Sequence, residues 1–265
     1  MTGIADLLTT VVTRELVAAR ARGLRVLAVT SPIAFVAGLA ARRLGAPDLA
    51  LATGFCVLDA VDAFPAITLG EGNLGVAGAA RGPSSDTFVA LARGRVGVCV
   101  SPAQVDVRGA TNLSRVGGTN DAPKVALPGS RGLAENNDAP GPVWYLFTNH
   151  DPRTLVPEVD FVSGPPPSAG RYRRLLTPLG VFSLERGAWT AESLTEGVTA
   201  DDVAAATGFA ITVPDGVATT AAPTEDESAA LDTVDPLGLR ALETARGEEA
   251  AELVKRAVAA ERELR

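Results

Sequence analysis

The segment that most constrains the fold is an apolar strand followed directly by a polar, glycine-containing run. Residues 95–100 read Arg-Val-Gly-Val-Cys-Val, which is typical of a strand buried in a parallel sheet. Residues 101–112 then read Ser-Pro-Ala-Gln-Val-Asp-Val-Arg-Gly-Ala-Thr-Asn. Because open α/β sheets bind their ligands outside the carboxyl ends of the strands, we expect this polar run to lie at a ligand crevice.

The N-terminal part of the chain favours the same sheet type. Apolar residues recur at helical spacing over 4–22, and 24–29 is typical of a strand. Thr-Ser-Pro at 30–32 is a helix-start signal for an alanine-rich helix over 33–44, and a second strand follows at 49–52. This β-α-β unit predicts an α/β fold with parallel strands and a right-handed crossover.

The remaining pattern is weaker but continuous. Strands are predicted over 143–148, over 159–162 and on both sides of 177–180, and helices over 87–93 after a Ser-Ser-Asp cap, over 199–208 and from 247 onward. Loops are predicted over 128–142 and 219–227, and the glycine-rich stretch 53–85 is expected to form loops over the crevice. We predict a main domain over 1–243 and a C-terminal amphipathic helix over 244–265.

Composition excludes several classes of function. The chain has 265 residues, of which 46% are hydrophobic, so it can bury a sizeable core. Its net charge of -7 lacks the basic footprint of a nucleic-acid-binding protein. With one histidine and two cysteines, Cys56 and Cys99, both in apolar runs, neither a disulfide framework nor a metal site is expected. The N-terminus lacks a secretory pattern and no run of about eighteen apolar residues occurs, so we expect a cytoplasmic protein without a membrane span.

Three side chains of the polar run are candidates for binding. Gln104, Asp106 and Asn112 carry amide and carboxylate groups that can either grip a polar acyl group or pin the turn around Gly109. For Asp106 and Asn112 we favour the structural role, and for Gln104 both roles stay open. His150, the single histidine, follows the strand 143–148, and we favour a structural role for it over a catalytic one.

A second constellation is the loop Pro-Gly-Ser-Arg-Gly at 128–132 with the residues after it. Flexible glycines there, Gly132 among them, can turn backbone N–H groups towards a thioester oxygen. Arg131 can bind a substrate carboxylate through its two-pronged guanidinium, and Asn136 is a further candidate for substrate binding. Glu135 and the glycine-flanked Glu71 are the candidate catalytic carboxylates of this chain, although Glu71 is also compatible with an exposed turn.

The run Ala-Gln-x-Asp-x-x-Gly-x-x-Asn at 103–112 resembles the B-type subunits of family I CoA-transferases, the glutaconate CoA-transferase branch in particular. Further matching motifs occur in the family's order, at 43–48, 128–132, 160–164, 177–182, 206–209 and 234–236. The resemblance implies an open, mostly parallel sheet with helices on both faces. It also implies an A-type partner in a heterodimer or heterotetramer, an acyl-CoA substrate, and coenzyme A only as part of that substrate.

Two departures from the family pattern change the implied chemistry. The transferases carry a nucleophilic glutamate where this chain has Ala52, before Thr53 and Gly54 at the substrate site, and a glycine where it has Arg131. Both departures resemble the B-type subunits of actinobacterial steroid ring-cleaving CoA hydrolases, in which the A-type partner supplies the glutamate. We therefore expect a hydrolase or lyase subunit. The alternatives are a transferase that uses Glu71 or Glu135 and a subunit without catalytic function.

Overall fold

The computed structural model describes residues 3–52, 57–60 and 78–263, which form two compact units. The first unit falls within residues 1–99 and 222–265, and the second spans 100–221. Thr53, Gly54, Cys56 and Glu71 lie outside the described residues. None of the described helices is long and apolar enough to cross a membrane.

Helices and strands alternate at the N-terminal end of the described chain and are followed by longer runs of strands. The described helices are α1 (Ile4–Ala21), α2 (Pro32–Leu44), α3 (Ser84–Ala92), α4 (Leu133–Asn137), α5 (Ala200–Ala206), α6 (Glu225–Val234) and α7 (Gly247–Glu263), with a 3-10 helix at Leu239–Glu243. The described strands are β1 (Val26–Val29), β2 (Ala50–Ala52), β3 (Val57–Ala60), β4 (Gly78–Arg81), β5 (Val96–Val100), β6 (Gln104–Asp106), β7 (Thr111–Asn112), β8 (Arg115–Gly118), β9 (Pro123–Ala126), β10 (Val143–Leu146), β11 (Leu155–Val156), β12 (Arg173–Thr177), β13 (Gly180–Glu185), β14 (Ala188–Thr195) and β15 (Ala218–Thr220).

The first unit contains the predicted β-α-β unit. Its strands lie in the order β5-β1-β2-β3-β4, with β5, β1 and β2 parallel and β3 and β4 antiparallel. Helix α2 approaches this sheet closely at Gly38, where an added Cβ would lie 2.5 Å from Leu51 Cδ2. The predicted start of α2 is confirmed, because Ser31 caps the helix through the Ala34 N–H and Pro32 occupies the first turn.

The second unit is a mixed sheet with two smaller additions. Its strands lie in the order β15-β14-β13-β12-β10, in which β10 and β12 are parallel while β12, β13 and β14 are antiparallel. A short sheet, β11-β6-β7, carries the polar run, and β8 and β9 form a separate hairpin. The α/β class is confirmed, with parallel strands in both units and additional antiparallel strands.

Four local predictions were wrong. Residues 159–162 form no strand, because Asp160 binds the Gln104 side chain instead of a neighbouring strand. The predicted loop 128–142 contains α4, and the predicted loop 219–227 contains the start of α6, which a reciprocal capping box between Thr224 and Glu227 begins. Helix α3 starts at residue 84 after Pro83 and has no side-chain cap.

Arg173 is the most deeply buried cation of the described chain. Its side chain is 2% exposed and donates to four backbone carbonyls: Nε and Nη2 to Asn137, Nη2 also to Ala139, and Nη1 to Gly141 and Tyr172. The guanidinium therefore satisfies the backbone of the segment after α4 and attaches that segment to β12. Burial of so many polar groups is tolerable only because each has a partner.

Replacing Arg173 by Met should destabilise the protein strongly. The Arg173→Met side chain has no donors, so the buried carbonyls of Asn137, Ala139 and Gly141 lose their partner, while the Tyr172 carbonyl keeps the Val143 N–H. We expect a loss of about 3 to 5 kcal/mol in the free energy of unfolding. Urea unfolding followed by tryptophan fluorescence measures it. The control is Arg153→Met, whose parent side chain is 90% exposed and should change stability by less than about 0.5 kcal/mol. Equal stability of the two variants would contradict the prediction.

Candidate functional site

Gln104 lies at the start of β6 and its amide is fully engaged. Oε1 accepts from the Asn112 side chain at 2.7 Å and from the Asp160 N–H at 3.1 Å, while Nε2 donates to Asp160 Oδ2 at 3.0 Å. The residue is 4% exposed. Of the two roles that the sequence left open for Gln104, the geometry therefore favours the structural one.

Asp106 and Asn112 hold the turns on either side of β7. Asp106 Oδ1 accepts the N–H groups of Arg108 and Ala110, and it closes a tight turn in which Gly109 has a φ of 80°. Asn112 donates to the Arg115 carbonyl at 2.6 Å. Glycine suits this position because its φ of 80° lies in the left-handed region, and a Cβ would in addition lie 2.6 Å from Leu184 Cδ2.

The sequence did not identify Asn137, whose side chain connects several segments of the second unit through hydrogen bonds. Its fully buried side chain accepts from the Tyr145 hydroxyl and the Thr111 hydroxyl, and it donates to the carbonyls of Gly109 and Pro165 at 2.8 Å each. Burial raises the pKa of the Tyr145 phenol, which keeps this donor protonated. The sequence could not single out Asn137 because its four partners come from three separate segments of the chain.

The predicted oxyanion loop has an unusual backbone. Gly129, Arg131 and Gly132 all have positive φ values, of 100°, 47° and 84°. For a side chain larger than glycine this conformation is strained, at a cost of about 1 kcal/mol. The loop is tied down at its start by the Gly129 N–H to the Leu113 carbonyl. Arg131 is exposed, and its side chain forms no hydrogen bond or ion pair with the residues the structure describes.

The other predicted residues lie in different settings. Ala52 ends β2, is 1% exposed and pairs with Ala28 of β1, so that strand end carries no carboxylate. Glu135 is exposed in the first turn of α4, whereas its neighbour Asn136 is buried.

His150 is held between two hydroxyl groups. The Thr207 hydroxyl donates to the Val203 carbonyl, so it accepts from His150 Nε2–H at 2.8 Å. The Thr177 hydroxyl accepts from the Leu179 N–H, so it is free to donate to His150 Nδ1, also at 2.8 Å. Burial lowers the pKa of His150 to about 4, although Asp151 opposes this, so the ring is neutral near pH 7.

Comparison with known proteins identifies the family. No family model matches the chain. The chain is 30% identical over 207 residues to the B-type subunit of the 3-oxoadipate CoA-transferase of Pseudomonas knackmussii, an alignment that covers 72% of this chain and 79% of that protein. The chain belongs to the family I CoA-transferases, as a B-type subunit. The resemblance seen in the sequence is thereby confirmed.

A further B-type subunit and two solved structures are also similar to the chain. The IpdB subunit of the cholesterol ring-cleaving hydrolase of Rhodococcus jostii is 33% identical over 171 residues, covering 60% of this chain and 67% of that protein. The decarboxylase AibA/AibB matches with a TM-score of 0.79 at 27% identity, covering 90% of this chain and 97% of that chain. The glutaconate CoA-transferase of Acidaminococcus fermentans, with a TM-score of 0.77 at 15% identity over 89% of this chain and 95% of that chain, shares the fold. This B-type subunit accordingly functions with an A-type partner in a heteromeric enzyme.

Gln104→Glu should destabilise this B-type subunit in a pH-dependent way. The change places two carboxylates in contact, because the group 3.0 Å from Asp160 Oδ2 becomes an oxygen. Their repulsion raises the folded-state pKa of the pair, so stability should fall as pH rises, by about 3 kcal/mol at pH 8 and by clearly less at pH 5. Urea unfolding at both pH values tests this, with the exposed Glu135→Gln as control. An unchanged stability at pH 8 would refute the role of this contact.

His150 should make the wild-type protein less stable in mild acid. Since its pKa is lowered to about 4 in the folded state, the unfolded chain binds the proton more tightly. The stabilisation is complete above the unfolded value of about 6.5 and is lost as pH falls towards 4. Between pH 7 and pH 5 the wild type should lose about 1 to 2 kcal/mol more than His150→Asn, whatever their difference at pH 7. Parallel slopes for the two proteins would contradict a buried neutral ring.

Proposed function

We propose that this B-type subunit and its A-type partner cleave an acyl-CoA as a hydrolase or lyase, with the catalytic glutamate supplied by the partner. The observation that carries the proposal is Ala52, buried at the end of β2, at the position where the transferases that this chain resembles carry a glutamate. A transferase needs that carboxylate to attack the thioester and form an acyl anhydride. A methyl group cannot take its place.

Hydrolysis of a carbon–carbon bond next to a carbonyl is a reaction that this pair can share. The oxygen of one water molecule bonds to the carbonyl carbon while a base, the partner's carboxylate, takes its proton. The bond to the neighbouring carbon then breaks, and its electron pair stays on that carbon, which takes up a proton. The step consumes one water and needs stabilisation of a negatively charged oxygen on the way.

The loop over 128–132 is this chain's contribution to the reaction. Arg131 and Gly132 have left-handed backbone conformations, and the Arg131 side chain is exposed. A glycine-containing loop of this kind can direct the Gly132 N–H towards an oxyanion. The guanidinium has no partner among the described residues and suits a substrate carboxylate. Thr53, Gly54 and Asn136 complete the proposed substrate-binding set.

The substrate class follows from this chemistry and from the relatives. The names of two relatives refer to 3-oxoadipate and to cholesterol ring cleavage. A keto acyl-CoA that carries a second carboxylate fits Arg131, and a cyclic keto acyl-CoA fits the hydrolytic step. Coenzyme A enters as part of the substrate rather than as a resident cofactor.

Turnover by the co-purified pair tests the proposal directly. The pair is incubated in H2(18)O with a panel of keto acyl-CoA thioesters, and products are identified by mass spectrometry. We expect one atom of the heavy isotope in a cleaved product and no dependence on a carboxylate acceptor. Acyl exchange with an added carboxylate, together with a glutamyl-CoA adduct on Glu71 or Glu135 of this chain, would instead establish a transferase. Absence of any turnover would favour a subunit without catalytic function.

Arg131→Gly should weaken substrate binding without unfolding the protein. Glycine accepts the positive φ of residue 131 freely, so stability should change by less than about 1 kcal/mol. Loss of the charged hydrogen bonds should raise KM about 10- to 100-fold for a substrate with a second carboxylate. The matched control is Arg186→Gly, since Arg186 is also exposed and has a φ of 51°. A wild-type KM for Arg131→Gly would remove Arg131 from the site.

A further inference from the structure

Residues that follow β1 lie at the carboxyl edge of the sheet in the first unit. Strands β5, β1 and β2 run parallel, so their carboxyl ends share one edge of the sheet. Thr30, directly after β1, donates its hydroxyl to the Cys99 carbonyl of β5 at 2.6 Å, and α2 begins two residues later. By the general rule for open α/β sheets, ligands bind outside this edge.

The first turn of α2 receives a partner from far along the chain. The Ser31 hydroxyl accepts the Ala34 N–H, and Pro32 has no N–H, which leaves the Ile33 N–H as the free donor of the turn. That donor binds Glu243 Oε1 at 2.7 Å, across 210 residues of sequence. The same carboxyl also interacts with the Ser31 side chain.

Glu243 is a mostly buried carboxyl that no described cation pairs with. Burial raises its pKa, and the groups that act on it are the Ile33 N–H and the Ser31 hydroxyl. Burial and the charge of Glu243 raise the pKa of the Cys99 thiol in β5, so that thiol stays neutral. The two nearby arginines are engaged elsewhere: Arg240 pairs with acidic side chains, and Arg246 donates to backbone carbonyls.

The 3-10 helix that carries Glu243 is anchored independently. Arg240 forms ion pairs with Asp6 of α1, Asp232 of α6 and Asp235 just after α6. Asp235 in turn accepts the N–H groups of Leu239 and Arg240. The ion pairs of Arg240 therefore hold the 3-10 helix in place, and that helix positions Glu243 against the start of α2. A helix cap alone does not require such an arrangement, since a local Ser, Thr, Asp or Asn provides one at lower desolvation cost.

We propose that Glu243 is a positioning residue of the enzyme, because its carboxyl fixes the turn between β1 and α2 at the edge of the sheet where the substrate binds. The proposal rests on the proposed function only in that the reaction takes place at this edge. Glu243 acts through Ile33, Ser31 and the strand ends they follow, and it exchanges no proton with the substrate.

Three variants separate positioning from the alternatives. Glu243→Gln keeps an oxygen acceptor for the Ile33 N–H, Glu243→Ala removes it, and Glu248→Ala is the control on an exposed glutamate of α7. Hydrogen exchange of residues 30–36 in the purified pair reports on the turn. Steady-state kinetics with the keto acyl-CoA turned over by the wild-type pair, as a function of pH, report on catalysis.

We expect Glu243→Ala to accelerate exchange over residues 30–36 about tenfold, the equivalent of one lost hydrogen bond, and to lower kcat by about tenfold with KM within twofold. Glu243→Gln should restore at least half of kcat with an unchanged pH profile, and Glu248→Ala should behave as wild type. If Glu243→Ala does not fold, Glu243→Asp, which is one methylene shorter, should show the same direction of change.

Each other result overturns the proposal in a recognisable way. Faster exchange with an unchanged kcat leaves Glu243 as a structural cap only. If Glu243→Gln has a kcat as low as that of Glu243→Ala but wild-type hydrogen exchange over residues 30–36, the Glu243 carboxyl takes part in proton transfer. No turnover by the wild-type pair refutes the proposed function, and faster exchange in Glu243→Ala then shows that the failure lies in the function and not in the contact with α2.

Discussion

The contact between the Arg173 guanidinium and the backbone of residues 137–141 is the interaction on which the second unit depends. Arg173 donates twice to the Asn137 carbonyl, and this fixes the residue whose side chain joins Gly109, Thr111, Tyr145 and Pro165. A buried charge without a carboxylate partner is costly, and it is tolerated because each of its donors has a carbonyl acceptor. The polar run after β5 is therefore held by Asn137 and Arg173, and a shift of these two residues would leave several buried polar groups without partners.

These contacts give the family motif at 103–112 a structural role. Gln104 binds Asn112 and Asp160, whereas Asp106 Oδ1 and Asn112 also bind the backbone of the adjoining turns. Arg131 forms no ion pair with the described residues, and the loop that carries it is held by the hydrogen bond from the Gly129 N–H to the Leu113 carbonyl. Rigid support beneath an exposed cation is the arrangement that substrate orientation requires. Together with the buried Ala52, it suits a subunit that orients an acyl group while its partner performs the bond-making step.

Local chemistry decided which sequence predictions succeeded. The β-α-β unit was predictable because Ser31 and Pro32 start α2 through local capping, and because β1 and β2 on either side consist of apolar residues. Residues 159–162 have the same branched and aromatic character as a strand, yet Asp160 binds a side chain 56 residues away and the segment stays irregular. The capping box of α6 was readable in Thr224 and Glu227, but the acidic and small composition around it favoured a loop.

The sequence by itself determined the fold class and the family, because apolar periodicity and motif order are properties of the chain alone. It also supplied the alanine at position 52 on which the proposed mechanism rests. Only the tertiary structure decided which polar residues are used internally and which are available. Asn137 and Glu243 acquire their roles from partners that lie up to 210 residues away. Hydrogen bonds between distant segments form only when folding brings donors and acceptors within about 3 Å of each other, and no local pattern encodes that distance.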